Sequence, residues 1–183
     1  LTRPKTTIGF LTGHEERDPY RDYATFTRGL REQYDVETVD LADGKPVPDK
    51  VRVLIVAGPR AKVDDRARYE IDQFLMRGGR ALFLLDTVAV DPGSLTARPV
   101  DTGLVDQLAS YGVRVRPALL QDWGLQEVVQ VPAGNELGGG VGGYYVEPYP
   151  LWPKIQAQSL SATSPIVNQL QGLVMPWTSP VEV

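Results

Sequence analysis

The segment IGFLTGHEERDPY, residues 8–20, holds the chain's single histidine, His14, with Glu15, Glu16, Arg17 and Asp18 directly behind it. An imidazole beside carboxylates is the raw material of general acid–base chemistry, because it titrates near neutrality and a carboxylate can orient it. A second polar pair, Asp86-Thr87, ends the apolar run ALFLL. Asp86 is a candidate to orient His14, and Thr87 is a candidate hydroxyl nucleophile that would need a strong base beside it. The competing reading is structural. Glu15, Glu16 and Asp18 complement the positive end of a following helix, and His14 is a solvated turn residue. With no matching nucleophile, no catalytic residue is assigned.

Other chemistries are poorly supported. One histidine with scattered carboxylates lacks the spacing of a metal site, and Asp64-Asp65 reads as a helix start. The absence of cysteine excludes disulfides, thiolate catalysis and Cys-ligated metal centres. The glycines of LGGGVGG, residues 137–143, do not sit in a G-x-G-x-x-G context between a strand and a helix, and there is no Walker A pattern. No cofactor is expected.

The elements that must position these groups follow from periodicity. TTIGFLT (6–12) reads as a buried strand. Asp18-Pro19 opens a helix with an acceptor at the N-cap and proline at the first turn, and Tyr23, Phe26, Leu30 and Tyr34 form its apolar face. DVETVDL (35–41) is a strand and DGKPVPD (43–49) a loop. VRVLIVAGP (51–59) and RALFLLD (80–86) read as strands covered on both faces. Between them Asp64 or Asp65 starts a helix with Ala67, Ile71, Phe74 and Leu75 inward, closed by Gly78-Gly79. Asp101 or Thr102 caps a helix carrying Leu104, Leu108 and Tyr111, and VRVRPALL (113–120) returns as a strand.

Alternating strands and helices predict an α/β three-layer sandwich with a mainly parallel sheet, flavodoxin-like in outline. Its expected core is Ile8, Phe10, Val53, Ile55, Leu82, Leu84 and Val113. Ligands of such sheets bind beyond the carboxyl ends of the strands. The candidate cleft is therefore Thr12, Gly13, His14 and Glu15 after the first strand, Gly58, Pro59 and Arg60 after the third, and Asp86 with Thr87 after the fourth.

With 183 residues, residues 1–183 read as one domain. A net charge of −4 argues against general nucleic-acid binding, which needs a basic face, so no nucleic-acid partner is expected. No stretch approaches the roughly 20 apolar residues of a membrane span. The start at Leu1 and the end at SPVEV suggest a piece of a longer protein. The stretch 132–150, PAGNELGGGVGGYYVEPYP, is rich in Gly, Pro and Tyr and reads as a loop or hairpin excursion. Tyr144, Tyr145, Tyr149 and Trp152 are a candidate interface, because aromatic residues bury much area with few rotatable bonds. With Trp177 they also suit a carbohydrate-binding surface.

Two resemblances add to this reading. LIVAGP, a helix and then ALFLLD resemble class I glutamine amidotransferases, in which a glycine loop helps form the oxyanion hole and a cysteine stands on the turn after the next strand. Here that turn is Asp86-Thr87-Val88, so the resemblance implies the scaffold without the thiol chemistry. The second resemblance spans nearly the whole chain. IGFLTGHEE, VLIVAGPRAKVDDRARYEIDQFLMRGGRALFLLD, GLVDQLASYGV, YPLWPKI and SPIVNQLQGLVMPWTSPV occur in the order of the GldG-like family, auxiliary components of uncharacterised ABC-type transport systems linked to gliding motility. FLTGHEE resembles that family's TGHGE, with Glu15 where a glycine is common.

The resemblance implies a non-enzymatic binding or scaffolding domain, with an amidotransferase-like fold also found in intraflagellar transport proteins. It further implies ABC permease or ATPase subunits, or another envelope protein, as partners. The domain would stand on the extracytoplasmic side of the inner membrane, anchored by segments outside this chain. The alternative function is a hydrolase or amidotransferase-like enzyme built on His14 and the Asp86-Thr87 turn.

Overall fold

The computed structural model describes residues 5–132 and 144–183. The chain packs as two compact units, Leu1–Arg116 with Val181–Val183, and Pro117–Pro180. The second unit is an insertion between two strands of the first.

The first unit is mixed α/β. Strand β1 (Thr6–Thr12) is followed by helix α1 (Ala24–Gln33), β2 (Tyr34–Asp40), β3 (Val51–Ala57), α2 (Asp65–Met76) and β4 (Arg80–Leu84). The four strands form one parallel sheet in the order β2-β1-β3-β4. A hairpin of β5 (Val88–Val90) and β6 (Ala97–Pro99) comes next. Then follow α3 (Leu104–Ser110) and the two-residue β7 (Arg114–Val115). The strand expected over 113–120 stops here, because Pro117 has no N–H to continue a ladder.

Helices cover both faces of the sheet. On one, Tyr23 and Leu30 pack over Ile8, Phe10, Ile55 and Ala57. On the other, Ala67, Ile71 and Phe74 of α2 and Leu104 of α3 pack over Leu11, Val39, Leu54 and Val56. Gly9 lies in the middle of β1 because a Cβ there would come within 2.6 Å of the Val39 side chain. Asp18, the expected helix cap, has its Oδ1 accepting from the amides of Tyr20 and Arg21 at 2.7 and 2.8 Å. It caps a turn rather than the helix itself, and α1 starts only at Ala24. Thr27, not Phe26, is the buried helix residue, and Tyr34 already belongs to β2.

The expected core needs correction. Ile8, Phe10 and Ile55 are buried, and Val53 and Val113 are half-buried, but Leu82 and Leu84 are 42% and 39% exposed. The register pairs them with Ile55 and Ala57, so they lie on the face that carries α1. α1 covers β1 and β3 there, and β4 is the edge strand of the sheet. The apolar run of β4 is thus buried on one side, through Phe83.

The second unit is antiparallel. β8 (Gln126–Pro132) pairs with the long β9 (Tyr144–Gln156), and β10 (Gly172–Val174) pairs with the end of β9. A register shift between Gln126 and Glu127 leaves Gln126 opposite Pro153 and Glu127 opposite Tyr149. The chain then returns to the first unit as β11 (Val181–Glu182), antiparallel to β7.

Candidate functional site

The sheet order reverses direction between β1 and β3: from β1 the chain winds to β2 on one side, and β3 and β4 lie on the other. Such a switch point is the general place for a ligand site in open α/β sheets, beyond the strand ends, because the two connections leave in opposite directions. Two of the three segments singled out in the sequence flank it. They are Thr12, Gly13, His14 and Glu15 after β1, and Gly58, Pro59 and Arg60 after β3.

The two loops are bonded together. The His14 carbonyl accepts from the amides of Arg60 and Ala61 at 3.1 and 3.0 Å, and the Arg17 amide donates to the Ala57 carbonyl at 2.9 Å. Gly58, at φ +61, donates its amide to Leu84 on the neighbouring strand, and the stem of Arg17 passes beside it. Pro59 is fully buried.

His14 is buried rather than solvated. Its Nδ1 lies 3.1 Å from Glu16 Oε1, and its backbone amide donates to Glu16 Oε2 at 2.7 Å. The Glu16 side chain is 2% exposed. One carboxylate therefore holds both the ring and the backbone of the same residue, so Glu16 serves the loop and not the dipole of the next helix. The sequence reading missed this role. Its signal was the i, i+2 spacing across Glu15, which adopts the left-handed φ of +59 and folds Glu16 back. Gly13, at φ +115, makes the preceding bend.

The fourth-strand turn is placed differently. The Thr87 hydroxyl is buried and donates to the Arg116 carbonyl at 3.0 Å, and the Thr87 carbonyl accepts from Val100. Asp86 is exposed. It is felt electrostatically at Tyr23, whose phenol is pushed up chiefly by burial, with Arg17 opposing and Asp86 and Asp22 adding to the rise. Asp64 caps α2, its Oδ1 accepting from the Ala67 amide at 2.9 Å. Among the described residues no group of three or more His, Asp or Glu is placed to hold a metal ion.

In the second unit Tyr149, Trp152 and Trp177 form one cluster. Their rings meet edge to face at 5.9 Å (Tyr149–Trp152) and 5.3 Å (Trp152–Trp177). The Trp177 indole N–H donates to the Tyr149 hydroxyl at 3.3 Å. The rings are turned on one another as a small core. Tyr144 is exposed. The side chain of Tyr145 and residues 133–143 lie outside the described residues. No helix of the described residues is long and apolar enough to cross a membrane.

The comparisons with known proteins agree with a mixed α/β chain. The N-terminal domain of mmIFT52 superimposes with a TM-score of 0.57 at 19% identity, over 97% of this chain and 68% of that one. At that identity the likeness is one of fold. No curated protein matches the sequence. A family described as an ABC-type uncharacterized transport system matches residues 5–183, and the chain belongs to this family of ABC-transport auxiliary components.

Proposed function

We propose that this chain is a non-catalytic binding or scaffolding domain of its transport system, GldG-like in kind and built on an amidotransferase-like scaffold without the family's thiol. The observation that carries this reading is the separate engagement of the two candidate chemical groups. His14 is held by Glu16 within its own loop, and the Thr87 hydroxyl is committed to the Arg116 carbonyl. A base–nucleophile pair needs the two in hydrogen-bond reach of each other. The loops after β1 and β3 then serve recognition, and the full-length protein holds the domain on the extracytoplasmic side of the inner membrane, beside permease and ATPase subunits. The link to gliding motility belongs to the same reading.

The test is purification of the full-length protein from detergent-solubilised membranes, wild type and His14→Gln, with transport measured in parallel. Permease and ATPase subunits are expected to co-purify with both, and transport is expected to continue in the variant. A variant that keeps the complex and its melting temperature but loses transport would indicate chemistry at His14.

A further inference from the structure

A groove of about 470 Å³ runs along α1, lined by Tyr20, Ala24, Thr27, Arg28, Arg31 and Glu32. Small-molecule sites typically measure roughly 300–1,000 Å³. The Tyr20 hydroxyl donates to the Val36 carbonyl of β2 at 3.2 Å, and the Thr27 hydroxyl donates to the Pro19 carbonyl at 2.5 Å. Both hydroxyl protons are therefore engaged within the protein. The side-chain donors left to a ligand are the guanidinium groups of Arg28 and Arg31, and among the described residues neither forms an ion pair.

The charges around the groove favour an anion. Lys5 adds a third cation, its ammonium donating to the Arg31 carbonyl at 2.8 Å. The neighbouring strand turns its acids away. Val36 packs with the core under α1 and Val39 with the core under α2, so alternation along β2 puts Asp35 and Glu37 on the α2 face. Asp18 and Asp22 are engaged by the amides of residues 18, 20 and 21 and by the Arg21 guanidinium. Against the three cations stand Glu32, which lines the groove, and the carbonyl end of α1, equivalent to about half a negative charge.

The donors also select the kind of anion. One guanidinium fork satisfies a carboxylate, whereas a phosphate monoester has three free oxygens and a higher charge, enough for two forks. The Tyr20 ring and the Ala24 methyl give the same groove an apolar side. We propose that the α1 groove binds a phosphate monoester carried on an apolar body, with Arg28 and Arg31 on the phosphate and Tyr20 against the body. The site shares no lining residue with the strand-end loops and does not depend on the function proposed above. A soluble aryl or alkyl phosphate and a lipid phosphate share this chemistry.

The test titrates the full-length protein, held in phosphatidylcholine nanodiscs, with phenyl phosphate by calorimetry. A Kd of about 1 mM or tighter is expected, and Arg28→Gln and Arg31→Gln should each weaken it about tenfold, the loss of one charge-assisted pair. Both arginines are exposed, so the melting temperature of these variants should stay close to that of the wild type. Arg28→Lys and Arg31→Lys keep the charge without the fork and should not restore full affinity. Inorganic phosphate and benzoate should both bind more weakly than phenyl phosphate to the wild-type protein. Adding phosphatidic acid to the discs separates the two sources: competition with phenyl phosphate assigns the groove to a lipid phosphate, and undiminished binding assigns it to a soluble one. No binding below about 10 mM, or unchanged affinity in both glutamine variants, overturns the proposal. Equal affinity for benzoate overturns the choice of phosphate, and equal affinity for inorganic phosphate overturns the apolar body.

Discussion

The guanidinium of Arg116 meets the carboxylate of Glu182 at 2.7 Å across a separation of 66 residues. It joins β7 to β11, the two strands between which the second unit is inserted. Both side chains are exposed, so the pair is worth little on its own. Glu182→Ala should therefore cost no more than about 1 kcal/mol in urea unfolding. A loss several times larger would show that this pair, and not the backbone ladder beside it, holds the root of the insertion.

His14 and Glu16 should behave as a coupled pair. Removing the imidazole leaves a buried carboxylate short of a partner, so His14→Ala should cost about 1–3 kcal/mol. A double-mutant cycle with Glu16→Gln should return a coupling of about 0.5–3 kcal/mol. Strict additivity of the two single changes would contradict the contact.

Glu15 holds a left-handed backbone at φ +59, where its Cβ crowds the chain. Glu15→Gly relieves that strain but loosens the unfolded state, and the two effects partly offset. The expected outcome is a stability change of less than about 1 kcal/mol, of either sign. Glu15→Val, β-branched at the same φ, should destabilise by at least about 1 kcal/mol, and thermal melts of the two variants compare them directly.

The edge position of β4 separates two otherwise similar residues. Ile55→Ala should cost about 2–5 kcal/mol, because its side chain is enclosed. Leu84→Ala, on the open part of the same face, should cost about half as much or less. Equal losses would mean that something covers Leu84.

Tyr23 provides a pH test. Its pKa is raised from 10.0, mainly by burial. In the unfolded chain the phenol ionises first, so its contribution is fully present below pH 10 and is lost as pH rises through the higher folded value. Tyr23→Phe should therefore flatten the fall in melting temperature above about pH 10. Parallel curves for the two proteins would exclude the effect.

Much of the fold was legible from local pattern alone. The β-branched run of β3 and the spacing of Ala67, Ile71 and Phe74 follow from periods of two and 3.6 residues. So does the Asp64 cap, and Gly79 is required where a Cβ would strike the Phe74 ring at 2.4 Å. The two loops at the switch point could likewise be named, because strand ends and connection order are sequential information.

Tertiary structure decided the rest. Whether an apolar strand is covered on both faces depends on its place in the sheet, and the run of Leu82 and Leu84 reads the same at an edge as in the middle. The burial of His14 depends on a left-handed residue at Glu15 that turns Glu16 back onto it, a conformation that an L side chain does not announce. The engagement of the Thr87 hydroxyl depends on Arg116, 29 residues away, which β7 brings alongside. Sequence by itself determined which groups stand at the ends of strands; packing between distant segments determined which of them face one another.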